Sequence, residues 1–143
     1  MGFRLAVGSG AEELSDDDYL KVVVEGANLL QVAGNHNETV FTFEQVNPFP
    51  YILSMKPLSN GYPLLYINGP VTTDPKLLPQ ARELFGAADF VMVPRLPHKA
   101  SNFRNMMQIY GGYLSQHFSV LRDTAHWQLW KKTGVAPEQP DRR

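Results

Sequence analysis

Ala88-Asp89-Phe90-Val91-Met92-Val93-Pro94-Arg95, followed at once by Leu96-Pro97-His98-Lys99-Ala100-Ser101, decides the fold. The first part reads as a buried strand and the second as a proline-punctuated basic loop. Ser101 then supplies the hydroxyl cap of a helix. In open α/β sheets, ligands sit where a strand's carboxyl end meets such a helix start.

Working upstream, Pro63-Leu64-Leu65-Tyr66-Ile67 reads as a second strand, closed by Asn68-Gly69-Pro70. Asp74-Pro75 opens a helix continued by Leu77, Leu78, Ala81, Leu84 and Phe85, and Gly86 ends it. An interior proline costs ~3 kcal/mol, so Pro79 splits an opening turn from the helix proper. Strand, helix and strand make a βαβ unit, whose two strands run parallel.

Earlier still, Ser15 with Asp16, Asp17 and Asp18 is a helix start: a cap, then carboxylates in the positive first turn. Leu20, Val23, Val24, Ala27 and Leu30 form its apolar stripe, and Gly34-Asn35 stops it. Glu25 falls off that stripe and reads as a solvated carboxylate. Thr39 to Glu44 is β-branched and aromatic, a strand. The three prolines between Asn47 and Pro57 predict irregular structure.

Downstream, Phe103, Met107, Tyr110 and Leu114 share one face of the Ser101 helix. Gly111-Gly112 costs it ~1 kcal/mol per residue, so either the helix bends there or another element packs on the bare backbone. Ser119 to Arg122 and His126 to Trp130 flank Asp123-Thr124-Ala125, a terminal hairpin. The expected fold is α/β: a two- or three-layer Rossmann-like sheet of four to five mostly parallel strands. Helices pack on it, and its C-terminal edge is antiparallel. Residues 1–14 read as a flexible arm, 15–132 as one domain and 133–143 as a disordered tail.

A chain of 143 residues buries roughly 70% of its unfolded surface as one domain. Its net charge of −1 argues against nucleic acid, whose binders carry a basic face. The absence of cysteine removes disulfides, thiolate metal sites and thiol nucleophiles. No window is apolar enough for a membrane span, so no direct membrane insertion is expected. No phosphate-cradling glycine loop or serine elbow is present. His36, His98, His117 and His126 show no metal-ligand spacing, and no metal, cofactor or catalytic residue is expected.

Two candidate sites remain. Arg95, His98, Lys99 and Ser101 stand where backbone N–H groups and a helix dipole favour a phosphate or carboxylate. Asn47, Phe49 and Tyr51 lie in a proline-stiffened loop suited to packing on the sheet or to contact with a partner.

Several ordered stretches resemble the soluble C-terminal segment of bacterial polytopic membrane proteins related to protein mannosyltransferases and aminoarabinose transferases. Gly26-Ala27-Asn28-Leu29-Leu30 matches a helix end. Phe43 through Asn47-Pro48-Phe49-Pro50 matches a strand and its turn. Ala88 to Pro94 matches an aspartate-led strand, Ile109-Tyr110-Gly111-Gly112-Tyr113-Leu114 a helix, and His126-Trp127-Gln128-Leu129-Trp130 a final strand. The resemblance spans about Tyr19 to Lys132.

It implies a non-catalytic accessory domain on the periplasmic face of the inner membrane, in contact with a membrane-embedded transferase. The acidic residues that carry chemistry in that group have no counterpart here. Two other readings stand beside it. One is a cytoplasmic anion-binding domain or enzyme using Arg95 to Ser101. The other is an interaction module using Asn47 to Pro57.

Overall fold

The computed structural model describes residues 15–34, 37–44, 47–58, 78–97 and 100–133. The elements are α1 (Asp16–Ala33), β1 (Val40–Thr42), α2 (Phe49–Leu53), α3 (Ala81–Phe85), β2 (Phe90–Pro94), α4 (Ala100–His117), β3 (Phe118–Asp123) and β4 (Trp127–Lys132). They build one four-stranded sheet of order β1-β2-β4-β3. The expected arm at 1–14, the strand at Pro63 to Ile67, the helix opening at Asp74-Pro75 and the tail beyond Thr133 lie outside the described residues.

The sheet is mixed rather than mostly parallel, which corrects the Rossmann-like expectation for the described residues. β1 and β2 are parallel, but β2 and β4, like β3 and β4, are antiparallel. The reason is that the C-terminal hairpin inserts β4 directly beside β2. After β2 the chain passes through α4 to β3, and the short turn after β3 folds β4 back into the space between β3 and β2, antiparallel to both.

Alternation along the strands sends side chains to two separate cores. Val40, Phe90, Met92, Trp127 and Leu129 face α1 and α2 with Val23, Leu30 and Phe49. Phe41, Phe43, Val91 and Val93 face α3 and α4 with Phe85, Met106, Tyr110 and Leu114. Helices therefore cover both faces, a three-layer arrangement. Asp89, just ahead of β2, sets the parallel register. Its carboxylate accepts from the Thr39 N–H at 2.9 Å and the Thr39 hydroxyl at 3.2 Å.

The helix starts obey local chemistry. The Ser15 hydroxyl accepts from the Asp18 N–H, as a cap should. α3 begins after Pro79, where the Gln80 N–H donates to the Glu83 carboxylate at 3.2 Å. One expectation fails here: Asn47 to Pro57 contains the short helix α2. Pro48 caps it and Pro50 lies in its first turn, where the missing N–H has no helical acceptor to lose. The expected α4 face also shifts by one residue. Met106 is fully buried, whereas Phe103 and Met107 only flank the core.

Two glycines have opposite meanings. Gly34 ends α1 with φ −131°, ordinary extended backbone, so the left-handed cap is not what requires it. A Cβ there would lie 2.8 Å from Phe90 Cε2. Gly34→Ala is expected to cost about 1–3 kcal/mol by overpacking, read as a lower urea midpoint. Nothing lies within 4 Å of the Cβ site on Gly112, and α4 is helical throughout Ala100–His117. Among the described residues, therefore, no element packs on the bare backbone at Gly112. Gly112→Ala should raise stability by about 0.5–1 kcal/mol.

Candidate functional site

Because β1 and β2 run parallel, their carboxyl ends share one edge of the sheet. Among the described residues, the buried polar side chains are Thr39, Thr42, Glu44 and Asn102. Thr42 and Glu44 stand at or just past the end of β1, and Asn102 is in the first turn of α4, which follows β2. Thr39 lies at the opposite end of β1, bonded to Asp89. Buried polar groups are costly unless bonded, so the placing of Thr42, Glu44 and Asn102 toward the carboxyl ends marks that end as the place where specific chemistry is held.

The residues singled out in the sequence divide clearly. Asn47 closes the turn after β1: its amide donates to the Val40 carbonyl at 2.7 Å and accepts from the Thr42 hydroxyl at 2.8 Å. Phe49 is buried against Trp127, ring centroids 5.4 Å apart and edge to face. Tyr51 is 93% exposed. The loop thus supplies packing through Phe49 and an open surface through Tyr51.

Arg95 leaves β2 toward the hairpin rather than standing unpaired. Its Nε donates to the Thr124 carbonyl at 2.9 Å, and its guanidinium pairs with Asp123. Its charge is therefore already balanced. Ser101 lies half-buried in the first turn of α4. His98 and Lys99 lie outside the described residues.

Beside Arg95 stands a cluster with no local sequence signal. Glu25, expected in solvent, is half-buried and accepts from the Thr124 hydroxyl at 2.7 Å and the His126 N–H at 3.0 Å. Its second oxygen meets His126 Nδ1 at 2.7 Å. The correction has a plain cause: the hairpin tip arrives over α1 from 99 and 101 residues away. No periodicity or spacing could reveal that. Glu25 on α1 and Arg95 after β2 together clamp the tip of the β3–β4 hairpin.

Burial alone would raise the Glu25 pKa, but bonds from Thr124 and from the His126 ring and backbone, with attraction to His126, bring it below the usual value. A depressed folded-state pKa contributes stability that is complete above the unfolded value. That contribution disappears as pH falls through the folded one. Glu25→Ala should cost about 1–3 kcal/mol at neutral pH by leaving three donors without their acceptor. The gap to wild type should close in urea melts below the ordinary Glu pKa of about 4.3.

On α1, Tyr19 is held protonated further into the alkaline range, first by burial and then by the Glu44 charge. The edge thus carries a phenol donor and a carboxylate close together. Both were missed in the sequence, although a carboxylate closing an apolar strand at its carboxyl end was the available signal. Of the two histidines in the described set, His126 is tied to Glu25, and His117 stacks on Tyr113 with centroids 4.0 Å apart. Among the described residues no cluster of His, Asp and Glu could hold a metal ion. No described helix is long and apolar enough to cross a membrane.

No protein family matches the chain, and no curated protein or solved structure matches it either.

Proposed function

We propose that this chain is a non-catalytic accessory α/β domain that works by contact. Its setting would be a polytopic membrane protein of the protein mannosyltransferase and aminoarabinose transferase kind, on the periplasmic side. One observation carries the contact role. α2 is anchored by buried Phe49, while the two apolar side chains Tyr51 and Ile52 stand open to solvent. The Arg95–Asp123 and Glu25–His126 pairs fit the same reading, because both hold the hairpin in place.

An antibody raised to the chain and used on fractionated native cells tests the proposal. The expected band is membrane-bound and much larger than 16.1 kDa. A soluble band near that mass overturns it.

A second reading, binding of a small phosphate or carboxylate ligand, is favoured by the start of α4 at the carboxyl end of β2. A thermal-shift panel of anionic metabolites with wild type and Lys99→Ala decides it. A stabilisation lost in the variant supports it, and a flat panel overturns it.

A further inference from the structure

The sheet order leaves β3 at an edge, with β4 as its neighbour on one side and no strand on the other among the described residues. The two ends of the β3–β4 ladder show which backbone groups of β3 are already bonded. The Thr133 N–H donates to the His117 carbonyl at 3.0 Å, so Phe118 and Lys132 form a non-hydrogen-bonded pair. Two residues on, Val120 and Trp130 form another. Residues in such pairs turn their N–H and C=O away from the partner strand. Beyond the bulge at Leu121, the Thr124 N–H donates to the Trp127 carbonyl at 2.8 Å, which turns Asp123 outward as well. β3 therefore presents a row of backbone donors and acceptors to its open side, the template that another extended backbone pairs with.

The side chains beside that row are open too. Val120 is 45% exposed and Leu121 46%. On the α1 face, a groove of about 370 Å³ runs between Leu29 and Val32 of α1 and Leu121 to Thr124 of the hairpin. Its walls are apolar at Leu29, Val32 and Leu121. Arg122 stands among them, on the same face as its ladder partner Leu129, which packs toward α1.

The charges around the groove select what enters it. The two acids nearest Arg122 are engaged, Asp123 by Arg95 and Glu25 by His126. Among the described residues Arg122 itself has no acidic partner. Lys132, opposite Phe118, belongs to the α4 face. Asp16, Asp17 and Asp18 stand at the other end of α1, at least eleven residues from Leu29. That is about 16 Å along the helix axis, beyond the screening length of about 8 Å at physiological ionic strength.

The Val32 end of the groove has the opposite character. α1 has no basic residue in its last turn, so the negative end of its dipole lies there, and Glu38 approaches Gly34 just beyond. Lys131, over the Phe90 ring at 5.0 Å, is the cation on that side. Gly34 abuts Phe90, which pairs with Lys131, and Lys131 pairs with Ser119. This end of α1 therefore lies toward the start of β3, with Arg122 further along the strand. An incoming carboxylate fits at Arg122 and an apolar side chain fits nearer Val32.

We propose that β3 is a strand-addition site for an extended, acidic segment of another polypeptide. The segment runs antiparallel to β3, with a carboxylate on Arg122 and, two residues later on the same face, an apolar side chain between Leu121 and Val32. This goes beyond the contact made through α2 and does not rest on it. A second copy of β3 fits less well, because the one acid it brings, Asp123, is held by Arg95. Arg122 also turns away cationic strands, which gives the open edge its selectivity.

Amide NMR on the full chain tests this, with the end-blocked peptide Thr-Glu-Thr-Val-Thr-Val titrated to millimolar concentration. Shifts should concentrate on Ser119 to Thr124 and on Leu29 and Val32. Lysine in place of the peptide's glutamate should weaken binding about threefold, since exposed charge pairs contribute modestly. Arg122→Glu should reverse that order of preference. Val120→Pro removes an N–H that β4 does not use, and an edge strand tolerates proline there. Its thermal melt should stay near wild type while peptide binding weakens about tenfold. If Val120→Pro does not fold, the Arg122→Glu reversal decides.

No shift at millimolar peptide, or shifts centred away from β3, overturns the proposal. So does a folded Val120→Pro that binds like wild type, or an Arg122→Glu variant that keeps the wild-type preference. Sedimentation velocity on the free chain covers the remaining occupant. Self-association abolished by Val120→Pro would make a second copy the partner and overturn the assignment to an acidic segment.

Discussion

Trp127→Ala is expected to lose about 3–5 kcal/mol of folding stability, the largest effect of any substitution on the α1 side of the sheet. Trp127 is buried at the start of β4, where it pairs with Pro94 of β2. Its ring meets Phe49 edge to face, and its Nε1–H donates to the Val22 carbonyl on α1 at 2.7 Å. One side chain therefore joins β4, α1 and α2.

The seat for that ring is cut by Gly26. A Cβ there would lie 2.8 Å from Phe49 Cζ and 2.9 Å from Trp127 Nε1. Removing the indole empties a cavity that neither the helix nor the sheet can close, which is why the cost should reach the upper range. Trp127→Phe keeps most of the ring and loses the hydrogen bond, so about 1–2 kcal/mol is expected. Urea midpoints for the three proteins check the order. Equal midpoints for Trp127→Ala and Trp127→Phe would show that the indole N–H, not the ring, carries the joint.

Phe85→Ala should cost a similar 3–5 kcal/mol on the other face. Phe85 sits stacked on Phe41 with ring centroids 5.0 Å apart. Phe43, Tyr110, Tyr113 and Phe118 surround it at 5.4–6.1 Å. Such ring pairs contribute about 0.5–1.5 kcal/mol each beyond burial.

Phe85 belongs to α3, a helix of five residues. A helix that short has almost no stability of its own and holds its shape only by packing. The loss should therefore appear first as faster amide exchange across Ala81–Phe85, before global unfolding. Unchanged exchange there would contradict the account. Phe85 and Trp127 belong to cores on opposite faces of the sheet. The double variant should then be additive within about 0.5 kcal/mol.

Local chemistry by itself determined much of this protein. The Ser15 cap, the apolar run Phe90 to Pro94, the helix onset after Pro79 and the hairpin around Asp123-Thr124-Ala125 all depend on residues adjacent in the chain. Their spacing is a local property, and they stand where the sequence puts them.

Even so, proline count misled at α2. The number of prolines says nothing about which turn of a helix they occupy. The exposure of Leu20 and Val24 was equally hidden, since a helical stripe states a period and not which part of the arc finds a neighbour.

Tertiary structure decided everything that required two distant segments to meet. Which strand lies beside β2 depends on where the hairpin docks, and that turned a mostly parallel expectation into a mixed sheet. Arg95, read as a cation awaiting a ligand, meets Asp123 28 residues later, and Glu25 meets His126 101 residues away. Hydrogen bonds and ion pairs act over a few ångströms of space, not along the chain. Partners so far apart in sequence leave no periodic trace in it.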